Sequence, residues 1–183
     1  VVIPNPLFNL NNMPVARYTG ERKKEIVSVG RLNPQKNHRL LIDAFNEIHK
    51  LHPNYKFIIW GEGSERPMIE SYIRKLDLQD YVFLPGLTNK LFEEIYSSTL
   101  FVLSSDFEGL PNALIEAMAL GLPVISTDCP CGGPAFLLQN MKNGILVEVG
   151  NKMSLVNAIE YMLNNPKEAE QMGERAFSVR DEL

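Results

Sequence analysis

Leu100-Phe101-Val102-Leu103 runs into Ser104-Ser105-Asp106-Phe107-Glu108-Gly109-Leu110-Pro111, and the chain continues as Asn112-Ala113-Leu114-Ile115-Glu116-Ala117-Met118-Ala119-Leu120-Gly121. The first four residues are apolar without alternation, which predicts a short strand covered on both faces. Glycine and proline in the next eight mark a loop. Pro111 suits the first helical turn and Gly121 suits the stop. The helix between them is apolar almost all round, so it is expected to be buried, with Glu116 as its only charge.

The same strand–loop–helix unit recurs on either side. Ile26 to Val29, Phe57 to Trp60, Tyr81 to Leu84, Pro123 to Ser126 and Ile145 to Val147 read as further strands. Helical spacing runs over Asn37 to His49, Glu65 to Leu76, Asn89 to Ser97, Gly133 to Leu138, Met153 to Leu163 and Lys167 to Val179. Short non-alternating strands that alternate with helices define an α/β chain with a doubly wound, Rossmann-like parallel sheet of about six strands. No internal repeat is visible. In the order 3-2-1-4-5-6 the topological switch falls between the first and fourth strands, and ligands bind beyond the carboxyl ends there. Residues 1–20 stand apart. Val1-Val2-Ile3 can finish a strand, prolines and asparagines then break any period, and Arg17 is the sole charge. They read as a connecting segment, with the domain running over 21–183.

Two loops therefore matter. The first is Gly30-Arg31-Leu32-Asn33-Pro34-Gln35-Lys36-Asn37. A guanidinium and an ammonium beside the start of a helix are suited to a phosphate, although two solvated loop charges would read the same way. The second is the loop around Glu108. Glu108 precedes the helix N-terminus, an anion site through its free N–H groups. Glu116 lies about 7 Å further along the axis. A carboxylate in so apolar a helix is costly unless bonded. A nucleoside diphosphate-sugar fits between these two acceptors; a carboxylate that caps the helix or pairs with Lys36 is the other reading. Three more glycine turns fall on the same edge: Gly61-Glu62-Gly63-Ser64, Pro85-Gly86-Leu87-Thr88 and Cys131-Gly132-Gly133-Pro134. Gly61-x-Gly63 has Arg66 where a dinucleotide fingerprint needs its third glycine, and no Walker lysine pattern occurs.

Composition excludes several classes. The 183 residues carry 18 basic and 22 acidic side chains, a net charge of −4, which argues against a general nucleic-acid binder. There is no run of 18 apolar residues of the kind that spans a membrane, and no charged-then-apolar segment at the start predicts a signal peptide in this piece. Val1 rather than Met begins it, so we read it as a piece of a longer protein. Cys129 and Cys131 are too close for an unstrained disulfide and lack partners for zinc, so they are expected as reduced structural thiols. His38, His49 and His52 are expected to be solvated or to sit at a helix C-terminus. There is no hydrolase triad signature and no Asp-x-Asp pair of the kind that holds a metal diphosphate.

At these residues the sequence resembles the C-terminal, donor-binding domain of a GT-B glycosyltransferase of family four, over nearly the whole chain. Ile3-Pro4-Asn5-Pro6 is similar to that family's link between domains. Val29-Gly30-Arg31-Leu32 with Lys36-Asn37 resembles its phosphate loop. Ile59-Trp60-Gly61-Glu62-Gly63 and Phe83-Leu84-Pro85-Gly86 resemble its next two turns, and Glu108 with Glu116 matches its E-x7-E motif. Leu110 and Pro111 depart from the Phe-Gly often found there, and the wording of the motif resembles members that build bacterial surface glycans.

The resemblance implies a retaining, metal-independent transferase without a cofactor, whose donor is a nucleotide sugar, UDP-linked before GDP or ADP. Arg31 and Lys36 would neutralise the diphosphate, Glu108 would orient the sugar, and Glu116 the ribose. The backbone of Gly109, Leu110, Pro111, Asn112 and Ala113 would complete the anion site, with Gly30 and Gly86 lining the donor and the base near Pro85 to Thr88. It further implies an N-terminal acceptor domain outside this chain, a glycan, polysaccharide or lipid-linked acceptor, and an inactive isolated fragment. The whole protein would be cytoplasmic, with peripheral association at the inner membrane face. A GT-B nucleotide-sugar epimerase and a non-catalytic nucleotide-binding module are the other readings of the same residues.

Overall fold

The computed structural model describes residues 13–182. Its centre is a six-stranded parallel sheet made of β1 (Lys23–Val29), β2 (Lys56–Trp60), β3 (Val82–Gly86), β4 (Ser98–Leu103), β5 (Val124–Thr127) and β6 (Ile145–Val147). The strand order is β3-β2-β1-β4-β5-β6, as the alternation of elements predicts. Around it lie α1 (His38–Leu51), α2 (Arg66–Lys75), α3 (Leu91–Ile95), α4 (Asn112–Ala119), α5 (Gly133–Leu137), α6 (Lys152–Asn164), α7 (Pro166–Ala176) and α8 (Val179–Glu182).

Neighbouring residues of one strand serve opposite cores, because successive side chains point to opposite faces. On one face Ile26, Phe57, Ile59, Leu100 and Val102 pack with α1, α2, α6 and α7. On the other, Val27, Phe101, Leu103 and Val124 pack with α4 and α5, joined by Ile95 and Val179. Both faces are thus covered, which is why the strands read as apolar runs.

The departures from expectation lie at element ends. β1 begins at Lys23, earlier than its apolar run, because Lys23 pairs with Ser98 where the sheet reaches solvent. The helix expected over Asn89 to Ser97 shortens to α3, and β4 takes up Ser98. The last helical stretch divides at Phe177-Ser178, where the Ser178 hydroxyl donates back to the Arg175 carbonyl. Beyond the break, Arg180 donates to the carbonyls of Ala119 (2.6 Å) and Pro14 (2.7 Å). Of the expected connecting segment, residues 1–12, including the proposed strand end and the Ile3–Pro6 motif, lie outside the described residues. Residues 13–20 lie against the domain: Met13 is buried, and Arg17 meets Glu170 at 2.5 Å.

At the carboxyl edge the turns after β1, β2 and β3 are stitched together. The Gly30 amide donates to Trp60 O (3.0 Å), the Gly61 amide to Gly86 O (2.9 Å), and the Leu32 amide to Glu62 O (2.9 Å). Gly61 has φ +141°, and a Cβ there would fall 1.9 Å from the Gly30 carbonyl oxygen. Only glycine satisfies both constraints. Gly61→Ala is expected to cost about 2 kcal/mol or more of stability, measured by urea unfolding. An unchanged midpoint would contradict this close approach.

Candidate functional site at the sheet switch point

Because β1 and β4 are neighbours, the loops that follow them meet, and side chains and backbone bind them into one wall. The Asp106 amide donates to Gln35 O at 2.9 Å. Asn37 donates through Nδ2 to Asp106 Oδ1 at 2.8 Å, and Gln35 Nε2 donates to Phe107 O at 2.9 Å. The Ser104 hydroxyl donates to Lys36 O at 2.7 Å. Asn37 also caps α1: its side chain accepts from the Leu40 amide, with its own backbone at φ +46°. Asparagine tolerates that left-handed conformation better than most residues.

Lys36 and Glu108 come together across this seam. Nζ of Lys36 lies 2.5 Å from Oε1 of Glu108, and both side chains are largely buried. Lys36 is therefore not the surface residue expected of a loop cation. The Ser105 hydroxyl donates to the same Oε1 at 2.7 Å, and the Thr127 hydroxyl holds Ser105 O at 2.6 Å. Two donors on one carboxylate oxygen compensate its burial. Glu108 does not cap α4, whose N-cap is Pro111 with no side-chain hydrogen bond. Pro111 thus sits one position before the helical turn expected for it. Gly133 presses on the Gly109 carbonyl so closely that a Cβ would lie 1.4 Å from the oxygen, and the Glu108 amide donates to Pro130 O at 3.3 Å. The loop after β5 thereby buttresses the Glu108 loop from behind.

Glu116 lies one turn into α4 and is half-buried. Burial alone pushes its carboxyl group above the usual glutamate range. No hydrogen bond or ion pair engages it among the described residues, so its oxygens are open acceptors. Of the other expected contacts, Gly109 and Asn112 are exposed, Leu110 and Ala113 half-buried, and Pro111 buried. Arg31 is exposed and takes part in no ion pair among the described residues; it is apart from the Lys36–Glu108 pair. With Gly30 and Gly86 it lines a cavity of about 430 Å³ at the carboxyl ends of β1 to β3, together with Trp60, Leu87 and Thr88. A larger hollow of about 690 Å³ opens at the amino ends of the strands, between residues 17–24 and α7. Its rim charges Arg17, Arg22 and Glu170 are spent on one another.

Ser105, Thr127 and His38 escape a motif-based reading. Ser105, with Ser104 before it, could have been noticed as a polar residue closing a buried strand. The expectation of solvated histidines is overturned at His38, which is 2% exposed beneath the Arg31 loop. Burial, with the nearby Lys36 charge, pushes its pKa down to about 4 against the contrary pull of a hydrogen bond to the Arg31 carbonyl. His49 sits in the last turn of α1, as expected, and is half-buried, its ring centroid 3.9 Å from that of Tyr81. Cys129 is buried, Cys131 is exposed, and both are free thiols, as the spacing predicts. Among the described residues no group of three or more His, Cys, Asp or Glu gathers as a metal site, and no helix is long and apolar enough to cross a membrane.

These features define a doubly wound α/β domain whose polar residues converge on the edge where such sheets receive ligands. The family described as glycosyl transferases group 1 matches residues 15–179, and the chain belongs to it. An uncharacterised glycosyltransferase of Methanocaldococcus jannaschii is 39% identical over 72% of this chain and 34% of its own length. A Campylobacter jejuni N-acetylgalactosaminyltransferase is 36% identical over 80% of this chain and 39% of its own; its substrate is named as a diphospho-undecaprenol-linked saccharide. Among solved structures, a mutant of Staphylococcus aureus TarM in complex with fondaparinux, alpha-GlcNAc-glycerol and UDP is 30% identical. It superposes with a TM-score of 0.85 over 93% of this chain and 34% of that one. The chain therefore spans between 34% and 39% of the length of these three relatives, and the fold is that of a GT-B glycosyltransferase domain.

Glu116 gives the site a pH signature. Its raised pKa means that the folded state holds the proton more tightly than the unfolded chain, so this residue's contribution to stability falls as pH rises through and above the glutamate range. Glu116→Gln removes that ionisation. The stability of the variant relative to the parent is expected to increase from about pH 4 to about pH 7, with the His38 titration cancelling because both proteins carry it. Urea unfolding across that range measures the difference. A flat difference, or one that moves the other way, contradicts the burial of an unpartnered carboxyl group.

Proposed function

We propose that this chain is the donor-binding half of a retaining, metal-independent glycosyltransferase that takes its sugar from a UDP-linked donor. The observation that carries the reading is the Lys36–Glu108 pair, held by Ser105 at the switch point just ahead of α4, whose N-cap residue Pro111 makes no side-chain hydrogen bond. A lysine and a helix N-terminus converging on one place are a receptor for phosphate. Arg31, in no ion pair among the described residues, brings a second cation from the adjoining loop. As the sugar departs, negative charge develops on the diphosphate, and fixed positive groups stabilise it by several kcal/mol. The two cations supply that neutralisation from the protein itself, which is the support for metal independence. No covalent nucleophile is assigned: Glu108 binds the sugar, and the leaving phosphate assists attack on the same face.

The two glutamates divide the donor between them. Both bonds to Glu108 end on Oε1, which leaves Oε2 for sugar hydroxyls; Glu116, with neither oxygen engaged, takes the ribose. The base enters the cavity lined by Trp60, Gly86, Leu87 and Thr88. UDP is preferred because a relative of 30% identity was crystallised with it. The chain spans 39% of the Campylobacter relative's length, so we assign the acceptor side to another part of the protein. We assign the acceptor to the glycans, polysaccharides and lipid-linked saccharides that such relatives act on, reached from the cytoplasm at the membrane surface. The fragment alone is then inactive in transfer.

Calorimetry of the whole protein tests this with UDP and a UDP-sugar in EDTA. Binding is expected without divalent metal. Glu116→Gln should weaken UDP and the UDP-sugar alike, by about tenfold, the cost of a lost hydroxyl acceptor. Glu108→Gln should spare UDP and weaken the sugar donor. Binding that needs Mg²⁺ or Mn²⁺ contradicts metal independence, and the reverse pattern in the two variants means that the nucleotide lies the other way along α4.

A further inference from the structure

His38 begins α1 and is 2% exposed, directly under the loop that presents Arg31. Its Nε2 lies 3.2 Å from the Arg31 carbonyl oxygen. A carbonyl only accepts, so Nε2 carries the proton. The other ring nitrogen, Nδ1, is buried and has no hydrogen-bond partner. An imidazole is thus a poor choice for the fold alone, since an unpaired buried polar atom costs free energy that an apolar side chain of similar size would not. The Arg31 carbonyl does not need His38 either, because it already accepts from the Asn33 amide at 2.9 Å. The bond to His38 is a second hold on that carbonyl, in a peptide group whose Leu32 N–H already donates to Glu62 O. On both sides of Arg31 the backbone is pinned to the turn after β2, through the Gly30 and Leu32 amides. What remains to be set is how the Arg31 side chain leaves the loop.

We propose that His38 is a positioning residue for donor binding, acting through Arg31: its neutral imidazole clamps the Arg31 carbonyl and so fixes where the guanidinium is offered to the diphosphate. The inference rests on the assignment of Arg31 to the phosphate. Retention of an imidazole that leaves an atom unsatisfied follows the pattern in which stability is given up for function. A protonated His38 would set another cation beside Lys36 with no acceptor for its second N–H, and the depressed pKa keeps the ring neutral above about pH 4.

The test uses the whole protein, UDP as the probe in EDTA, and four variants: H38L, H38Q, R31A and the double variant H38L/R31A. H38L is expected to keep or raise the melting temperature and to weaken UDP by about tenfold. H38Q, whose amide nitrogen has a reach similar to that of Nε2, is expected to recover most of the affinity. R31A should weaken UDP, and H38L added to it should weaken UDP no further, because the imidazole acts only through Arg31. Losses that multiply in the double variant, unchanged affinity in H38L, or an H38L protein that melts early or fails to fold would each overturn the proposal. If R31A alone leaves UDP binding intact, the phosphate assignment itself fails and this inference falls with it.

Discussion

β1 and β4 pair directly although two strands and three helices separate them in sequence, and the polar contacts between the Lys36 and Glu108 loops follow from that pairing. The chain leaves β1 toward one edge of the sheet, through β2 and β3, and returns to lay β4 on the other side. At the point of reversal the two loops have no helix between them, so they meet. Gln35, Lys36 and Asn37 from the first then bond Ser104, Asp106, Phe107 and Glu108 from the second. Had β4 added beside β3 instead, Lys36 and Glu108 would lie on different strands' ends with nothing in common.

On the proposed reading, the contact between Lys36 and Glu108 would also set the energetics of ligand entry. In the free protein each neutralises the other, so neither stands as an uncompensated buried charge. A phosphate arriving beside Lys36 would share that ammonium with Glu108, and sugar hydroxyls would add donors to the carboxylate. The Ser105 and Thr127 hydroxyls keep Glu108 in place meanwhile, and the Gly133–Gly109 contact leaves its loop no room to withdraw. A site that is stitched before the ligand comes loses less entropy on binding than one that must assemble.

The fold was legible because its signals are strong and local. Six short apolar runs, the first three closed by glycine or proline, with helical spacing between them, leave few arrangements other than a doubly wound sheet. Arg31, Lys36, Glu108 and Glu116 were legible as polar residues at the one place such a sheet uses for ligands. The burial of Lys36 was not, since a lysine in a Gly-Pro loop reads as solvated until a carboxylate 72 positions away closes on it. His38 was equally hidden: nothing in Asn37-His38-Arg39 says that the histidine turns inward while its neighbours on either side do not. Element ends moved for the same reason. Lys23 joins β1 and Ser98 joins β4 through ladder pairing, to which hydrophobic patterning is blind.

The central claim is that the donor diphosphate lies at the crossing of these two loops. A crystal structure of the whole protein with bound UDP-sugar measures this most directly. The account predicts phosphate oxygens within hydrogen-bonding distance of Lys36 Nζ and the first amides of α4, with the sugar against Glu108 and the ribose against Glu116. A diphosphate bound elsewhere, for example in the hollow between Arg17 and α7 at the opposite edge of the sheet, with the Lys36–Glu108 pair untouched, would contradict it.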